Sequence, residues 1–487
     1  MTQTVPDPHT ADRTDDVAAL ADLHRHFAAQ RHAVRAGGAP TAEQRRAHLA
    51  ALAQVIVGNR ERIRAALSAD FAVHPGGFAD LVEVAGVAGR ALYAAEHLDE
   101  WMAPEYRDTD PGLYGTATAS ISYQPKGVIG LISPWNFPFD LSLGPLVDML
   151  AAGNRVIIKP SEYTPACSAL LADMIAQAFP ADVVTVVTGG LDLAKEFPTL
   201  AWDHILCTGN PEVGRLVALA AAQNLVPVTL ELGGKCPAIV APDAVTAATA
   251  AQIVGTKLVK NGQMCISVDY CLVPRAQLST FVELVLTHLR ERVPGYATSA
   301  DCTGIITERH LQRLLDLVDE ARASGAEIRT VDDAEPNRAT RQMPLTLVLD
   351  PADDLALMRE EIFGPILPIK VYDDLDDAIA YVNDGERPLG LYVFTDDDAV
   401  ADRVLDNTVS GGAVVNACAV QGAIPSLGFG GIGNSGTGRH HGIDGFREFS
   451  NPRGVVRRGA GDLIEVLHPP YDATTDAVVA AALGVDA

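Results

Sequence analysis

Cys265 stands in the segment NGQMCIS, three residues after Gly262, where a helical stretch gives way to the apolar run DYCLV. A thiol carried on such a junction stays open to an electrophile, and its thiolate is a nucleophile. Taken alone, a cysteine is more often a small buried hydrophobe. Glu231, 34 positions earlier, closes the apolar run PVTLEL just before Gly233 and Gly234. A carboxylate leaving the carboxyl end of a strand enters the crevice where open α/β sheets bind ligands, and there it can act as a general base. The plainer alternative is a solvated strand-end glutamate. Asn136, in ISPWNFPF, offers an amide to an oxyanion from a stiff setting of aromatics and prolines, or else caps its own turn.

Two further segments have the chemistry of dinucleotide contacts. In ILCTGNPEVGRLV an apolar run is followed by Gly209, then Asn210 at a helix N-cap position and Pro211 at the first helical position. Free amides and the positive helix end would face a phosphate. The spacing from Gly209 to Gly214 is no GxGxxG fingerprint, and an ordinary strand-to-helix turn would read the same way. In RVIIKPSEYTP, Lys159 and Glu162 follow another strand, a position suited to ribose hydroxyls or simply to a solvated rim. MREEIFGPILPI holds Glu360, Glu361 and Phe363, and SLGFGGIGNSGTGRHHG sets Phe429 in a glycine-rich loop.

The elements that must position these groups follow from periodicity. Val17 to Met102 reads as amphipathic helices, with Leu49, Leu52, Ile56 and Ile63 near helical spacing. Tyr106 to Lys126 ends in TATASISYQP, an exposed or edge hairpin arm. From Gly127 to Leu232 short apolar runs alternate with helical segments, the pattern of a parallel sheet with crossover helices. A second such series runs from Cys236 to the strand AVVNA. The expected fold class is therefore α/β, with a Rossmann-like parallel-sheet domain, a second α/β domain and a small β arm. From about Ala423 the chain is glycine-rich and is expected to wrap back over its neighbours.

Composition bounds the function. At 487 residues, 48% hydrophobic and 20% charged, the chain matches a multidomain globular enzyme rather than a disordered or disulfide-stapled one. A net charge of −25 disfavours nucleic acid and anionic membrane surfaces as partners, without excluding a small anionic cofactor in a local pocket of amides. Seven scattered cysteines with no CxxC pair fit reduced thiols in a cytoplasm and no zinc site. Residues 1–16 are polar and acidic and read as a flexible leader, and no long apolar run suggests a membrane span.

Taken in order, WNFP, KPSE, TGNPEVG, LELGGKCP, GQMC, EEIFGP and FGGIGNSGTG resemble the motif series of the aldehyde dehydrogenase superfamily, from about Asp80 to Val456. SPWNFPFDLSLGPLVDMLAAGNR, Asn210 in place of a more widespread Ser, and GNSGTGRHHG are similar to its class-3 branch, with the coniferyl aldehyde dehydrogenases nearest. The resemblance implies oxidation of an aldehyde to its acid with hydride transfer to NAD(P). Cys265 would be the nucleophile, Glu231 the general base, and Asn136 with the Cys265 amide the oxyanion hole. Lys159 and Glu162 would meet the adenosine ribose; Gly209, Asn210 and Gly214 the pyrophosphate; Glu361 and Phe363 the nicotinamide ribose and ring. Phe429 would line the acyl pocket. It further implies a cofactor domain (17–104 with 127–233), a catalytic domain (234–422) and an arm with tail (105–126 with 423–487) joining a homodimer.

The chemistry agrees. A thiol with a pKa near 8.5 is only a few per cent ionised at pH 7, so the site must help form thiolate. The tetrahedral adduct needs oxyanion donors, each typically worth about 3 to 4 kcal/mol. Glu231 at the site of a thioester favours water as the acceptor and a free acid as product. Glu162 predicts a preference for NAD over NADP, whose extra phosphate it would repel. Departures from the wider family are Pro145 in place of a common Lys, Gly428 before the FGG triplet, and VNACAV around Asn416. Two other functions fit the same residues: a cofactor-independent thiol hydrolase and a non-catalytic binding protein on this fold.

Overall fold

The computed structural model describes residues 13–485. Each apolar run between Gly127 and Leu232 forms a strand of one sheet. Val128–Ile132 lies at its centre, with Arg155–Lys159 and Val184–Val186 on one side and His204–Gly209 and Val228–Leu232 on the other, all parallel. Side chains alternate between two cores. Ile129, Leu131, Val156, Ile158 and Leu206 face helices Ala42–Gly58, Val87–Met102, Asp140–Ala151 and Pro165–Ala178. Val128, Ile157, Ile205 and Cys207 face the core shared with helices Arg13–Gly37 and Pro211–Ala222. Burial on both faces is why these strands read as continuous apolar runs, each buried Ile, Leu or Val contributing roughly 1.5–3 kcal/mol.

The chain builds this sheet outward from Val128–Ile132 to one edge, then returns to its other side with His204–Gly209. Such a reversal in strand order opens a crevice at the carboxyl ends of the two central strands. The loop carrying Asn136 and the turn at Gly209 leave from those two ends.

The second sheet has seven strands. Pro237–Val240 is flanked by Tyr270–Pro274 and, on the other side, Gly390–Phe394; Ile366–Tyr372, Thr346–Leu349, Gly412–Val415 and an antiparallel Glu327–Arg329 extend it. Its two faces again split by residue parity between two cores. The α/β class expected from the sequence is the fold observed.

Thr118–Pro125 pairs antiparallel with Glu105–Arg107 and, over eight residues, with Ser450–Arg457, making a three-stranded sheet apart from the other two. The glycine-rich stretch does return to the first sheet: Gly436 and Thr437 pair antiparallel with Glu231 and Leu230. Helix Arg13–Gly37 begins inside the segment expected as a leader, and the Asp16 carboxylate accepts from the Gly190 amide at 2.6 Å. Residues 1–12 of that leader lie outside the described residues. Helix Glu308–Ala323, with one face of Leu311, Leu314, Leu317 and Val318 buried, is an element beyond those expected from periodicity. Among the described residues no helix is long and apolar enough to cross a membrane, and no group of His, Cys, Asp and Glu is arranged to hold a metal ion.

Candidate active site

The two large sheets contribute opposite strand ends to the site. The first presents the carboxyl ends of its strands, so Glu231 is the penultimate residue of Val228–Leu232. The second presents its amino ends: Cys265 precedes Tyr270–Pro274, and Glu361 and Phe363 precede Ile366–Tyr372. Glu231 and Cys265 are thereby brought together from opposite sides. Burial raises the Glu231 carboxyl to a pKa of about 8, and its one counteracting neighbour is the Cys265 thiol. Glu231 is 1% exposed and neither oxygen has a conventional hydrogen-bond partner, the state of a base left free for a reactant. The Cys265 thiol is pushed well above its usual value by burial first and by Glu231 next, although the residue remains half-buried rather than enclosed.

The loop before the thiol is tightly shaped. Lys260, Asn261 and Gly262 follow one another at φ 51°, 55° and 77°. A Cβ on Gly262 would lie 2.3 Å from the Gly364 carbonyl oxygen, so both the dihedral and the space require glycine. Gln263 then fixes the loop: its Nε2 donates to the carbonyls of Lys260 (2.9 Å) and Gly304 (3.1 Å), and its Oε1 accepts from the Ile306 amide (3.0 Å). Asn136, 3% exposed, donates from Nδ2 to the Gln263 carbonyl at 3.2 Å. The amide thus sits against the backbone two residues before the thiol.

Glu361 and Phe363 lie on the same side. The Glu361 carboxylate covers Gly233, where a Cβ would stand 2.0 Å from Oε2, and the Gly234 amide donates to it. Burial and the nearby Asp269 raise Glu361 to about 8. Phe363, at φ 51°, meets Trp135 edge-on at 5.3 Å, next in sequence to Asn136. Phe429, 7% exposed, belongs to the core that contains Ile266, the residue after Cys265. Its backbone pairs with His440 in both directions, at 2.7 and 2.8 Å.

Lys159 and Gly209 stand at the carboxyl ends of their strands in the first sheet, and Glu162, Asn210 and Gly214 follow in the segments that leave those ends. Lys159 ends its strand and pairs with Glu162 at 3.2 Å. Asn210 caps helix Pro211–Ala222 by accepting from the Val213 amide at 2.9 Å, with Pro211 at the first turn. Gly214 is the contact point of that helix with Val228–Leu232, where a Cβ would meet Leu232 Cδ2 at 2.7 Å. A capped helix N-terminus beside Gly209, a Lys–Glu pair after another strand and an acid on Gly233 suit a dinucleotide laid across the carboxyl ends of the strands.

Several groups at the site carried no local sequence signal. Glu83 and Lys260, 177 positions apart, form a 3.1 Å ion pair with both side chains fully buried. His440 is fully buried with neither ring nitrogen partnered, and burial lowers it to about 3. The Asp148 carboxyl, which accepts from the His441 amide at 2.8 Å, is raised to about 7 by burial. Only GRHHG, in the glycine-rich run, hinted at the histidines.

Residues 2–455 match the model of the Aldehyde dehydrogenase family. A probable coniferyl aldehyde dehydrogenase of Caulobacter vibrioides is 44% identical over 442 residues, covering 89% of this chain and 91% of that protein. The coniferyl aldehyde dehydrogenase of a Pseudomonas species is 39% identical over 421 residues, 86% of this chain and 87% of its own length. Among solved structures, Staphylococcus aureus AldH in a substrate-bound state superposes with a TM-score of 0.88 at 31% identity, covering 94% of this chain and 99% of that one. Mycobacterium tuberculosis aldehyde dehydrogenase complexed with NAD+ gives 0.81 at 29% identity, with 89% and 90% coverage. The chain therefore belongs to the aldehyde dehydrogenase family, enzymes that oxidise an aldehyde to its carboxylic acid with hydride transfer to NAD(P).

Proposed function

We propose that this enzyme oxidises an aromatic aldehyde of the coniferyl type, or a medium-chain aliphatic one, through a covalent adduct on Cys265. The observation that carries the reading is the closeness of Glu231, at the carboxyl end of its strand, to Cys265, ahead of the strand Tyr270–Pro274, with the Asn136 amide anchored two residues before the thiol. Similarity to the coniferyl aldehyde dehydrogenases supports the aromatic class.

Glu231, in its ionised fraction, takes the thiol proton across the cleft, and the Cys265 sulfur attacks the aldehyde carbon. The oxyanion forms against the Asn136 Nδ2 and the Cys265 amide. Lys159, Glu162, Gly209, Asn210, Gly214, Glu361 and Phe363 would hold NAD(P), which would accept the hydride lost from the adduct carbon as its oxyanion becomes the carbonyl of a Cys265 thioester. Once the first proton has passed from Glu231 to solvent, the carboxylate removes a proton from the water that attacks the Cys265 thioester; the carbon–sulfur bond breaks, that proton returns to the departing sulfur, and the acid leaves with the thiol restored. Phe429 borders the acyl group through the core it shares with Ile266. Glu162, paired with Lys159 at 3.2 Å, sets a carboxylate that would repel a 2′-phosphate, which supports NAD as the preferred cofactor over NADP.

The segments 17–104 and 127–233 form the cofactor domain, 234–422 the catalytic domain, and 105–126 with 423–487 the arm and tail. The arm sheet, with Tyr106 and Val456 exposed at its surface, serves a homodimer. Seven unpaired cysteines suit a cytoplasmic setting. The test is a panel of aldehydes assayed by NADH absorbance with NAD and NADP in parallel. Coniferyl aldehyde with NAD should give the highest kcat/KM, and Cys265→Ala should give no signal. Equal turnover by that variant contradicts the reading.

A further inference from the structure

The buried pair of Glu83 and Lys260 links the two halves of the oxyanion hole. Glu83 lies in a π-helical segment, Asp80–Gly86, a helix widening that turns its side chain into the protein interior. One carboxylate oxygen, Oε2, accepts from the amides of Phe139 (3.0 Å) and Asp140 (2.8 Å), at the start of helix Asp140–Ala151. Those amides follow directly on the segment that presents Asn136. The other oxygen, Oε1, meets the Lys260 ammonium at 3.1 Å. The ammonium also lies 4.5 Å from the Phe71 ring centre and 4.8 Å from that of Phe137, the residue beside Asn136. Lys260 holds a left-handed backbone at φ 51°, and its carbonyl accepts the Gln263 side chain, whose own carbonyl receives Asn136.

We infer that Glu83 and Lys260 are positioning residues that fix the distance between the Asn136 amide and the Cys265 backbone, so that both donors converge on one oxyanion. The inference rests on the reading of Asn136 and Cys265 as that oxyanion hole. A carboxylate that ties one segment by two amides and the other by an ammonium couples their positions, and neither partner touches a reactant. A buried charge pair is a poor route to stability alone, because a neutral pair of similar volume is often at least as stable. Its value here is registry. A misplacement near 1 Å at a reacting centre can cost about 10²-fold in rate.

The test is a double-mutant cycle in the full-length enzyme with NAD and aldehyde. Glu83→Gln should lower kcat by roughly tenfold to 10²-fold while leaving the NAD dissociation constant and the alkylation rate of Cys265 within about twofold. In an Asn136→Ala background the same change should cost less than about threefold, since the donor it aligns is gone. The neutral double variant Glu83→Gln/Lys260→Met, which strands no charge, should recover thermal stability without recovering kcat. Full losses that add to that of Asn136→Ala, an unchanged kcat in Glu83→Gln, or recovery of kcat by the neutral pair would each overturn the inference. An Asn136→Ala variant with undiminished kcat would instead remove the oxyanion-hole reading beneath it.

Discussion

Glu231 cannot be mostly ionised at neutral pH if burial holds its carboxyl near 8. About a tenth of the enzyme carries the base form at pH 7 and about nine tenths at pH 9, so a step that uses Glu231 as base should quicken roughly ninefold across that interval. The sign follows from the direction of the shift: a raised acid supplies more base as pH rises, and the gain levels off above the raised pKa. Hydrolysis of the Cys265 thioester is the step to follow, because the thiol is already consumed in it and its own ionisation drops out. A burst of NADH should be followed by decay of the acyl adduct, read by quenching and intact-protein mass spectrometry. Glu231→Gln should abolish the pH-dependent rise and slow the decay by about 10²- to 10⁴-fold. A decay rate flat from pH 6.5 to 9 in the native enzyme, or the same slope in Glu231→Gln, would refute the assignment.

Asn136→Ala should reduce kcat by about 10²- to 10³-fold, read from steady-state NADH formation, with cofactor affinity preserved. Gly262→Ala forces a Cβ to within 2.3 Å of the Gly364 carbonyl at a positive φ; it should lower activity through the displaced Cys265 loop, visible as slower thiol alkylation. The ligand-free protein should lose stability as pH falls below about 6.5, because His74, His204 and His440 are held neutral by burial, at about 2, 3 and 3, while the unfolded chain protonates them freely. In the other direction, Glu231, Glu361 and Asp148, raised to about 8, 8 and 7, should make stability fall between about pH 4.5 and 8, and thermal unfolding across pH checks both limbs.

What the sequence discloses is what local pattern encodes. Runs such as RVIIK and HILCTG announce strands of a parallel sheet, and Asn210 with Pro211 announces a capped helix that the structure shows with its bond formed. The segment holding Cys265 was legible as a turn between helix and strand, and it is one. The pairing of carboxyl strand ends from one sheet with amino strand ends from the other was not legible, because a strand end carries no mark of what it will face. Helix Glu308–Ala323 escaped notice although its apolar face repeats at helical spacing, since charges dominate its remaining positions. The Glu83–Lys260 pair could not be read either. Two charged residues 177 positions apart look solvated until tertiary packing removes water from both. The partner of the arm, Ser450–Arg457, was hidden for a related reason: Pro452 and Gly454 interrupt its strand pattern, and pairing with Thr118–Pro125 is decided by the path of the chain between them.

Peptide mapping of enzyme quenched during turnover with an aldehyde and NAD tests the central claim most directly. An acyl mass should appear on the peptide that contains Cys265 and on no other cysteine peptide, present in native enzyme and accumulating in Glu231→Gln. An active enzyme with the acyl group on Cys236 or Cys418, or with no acyl-cysteine at any stage of turnover, would contradict it.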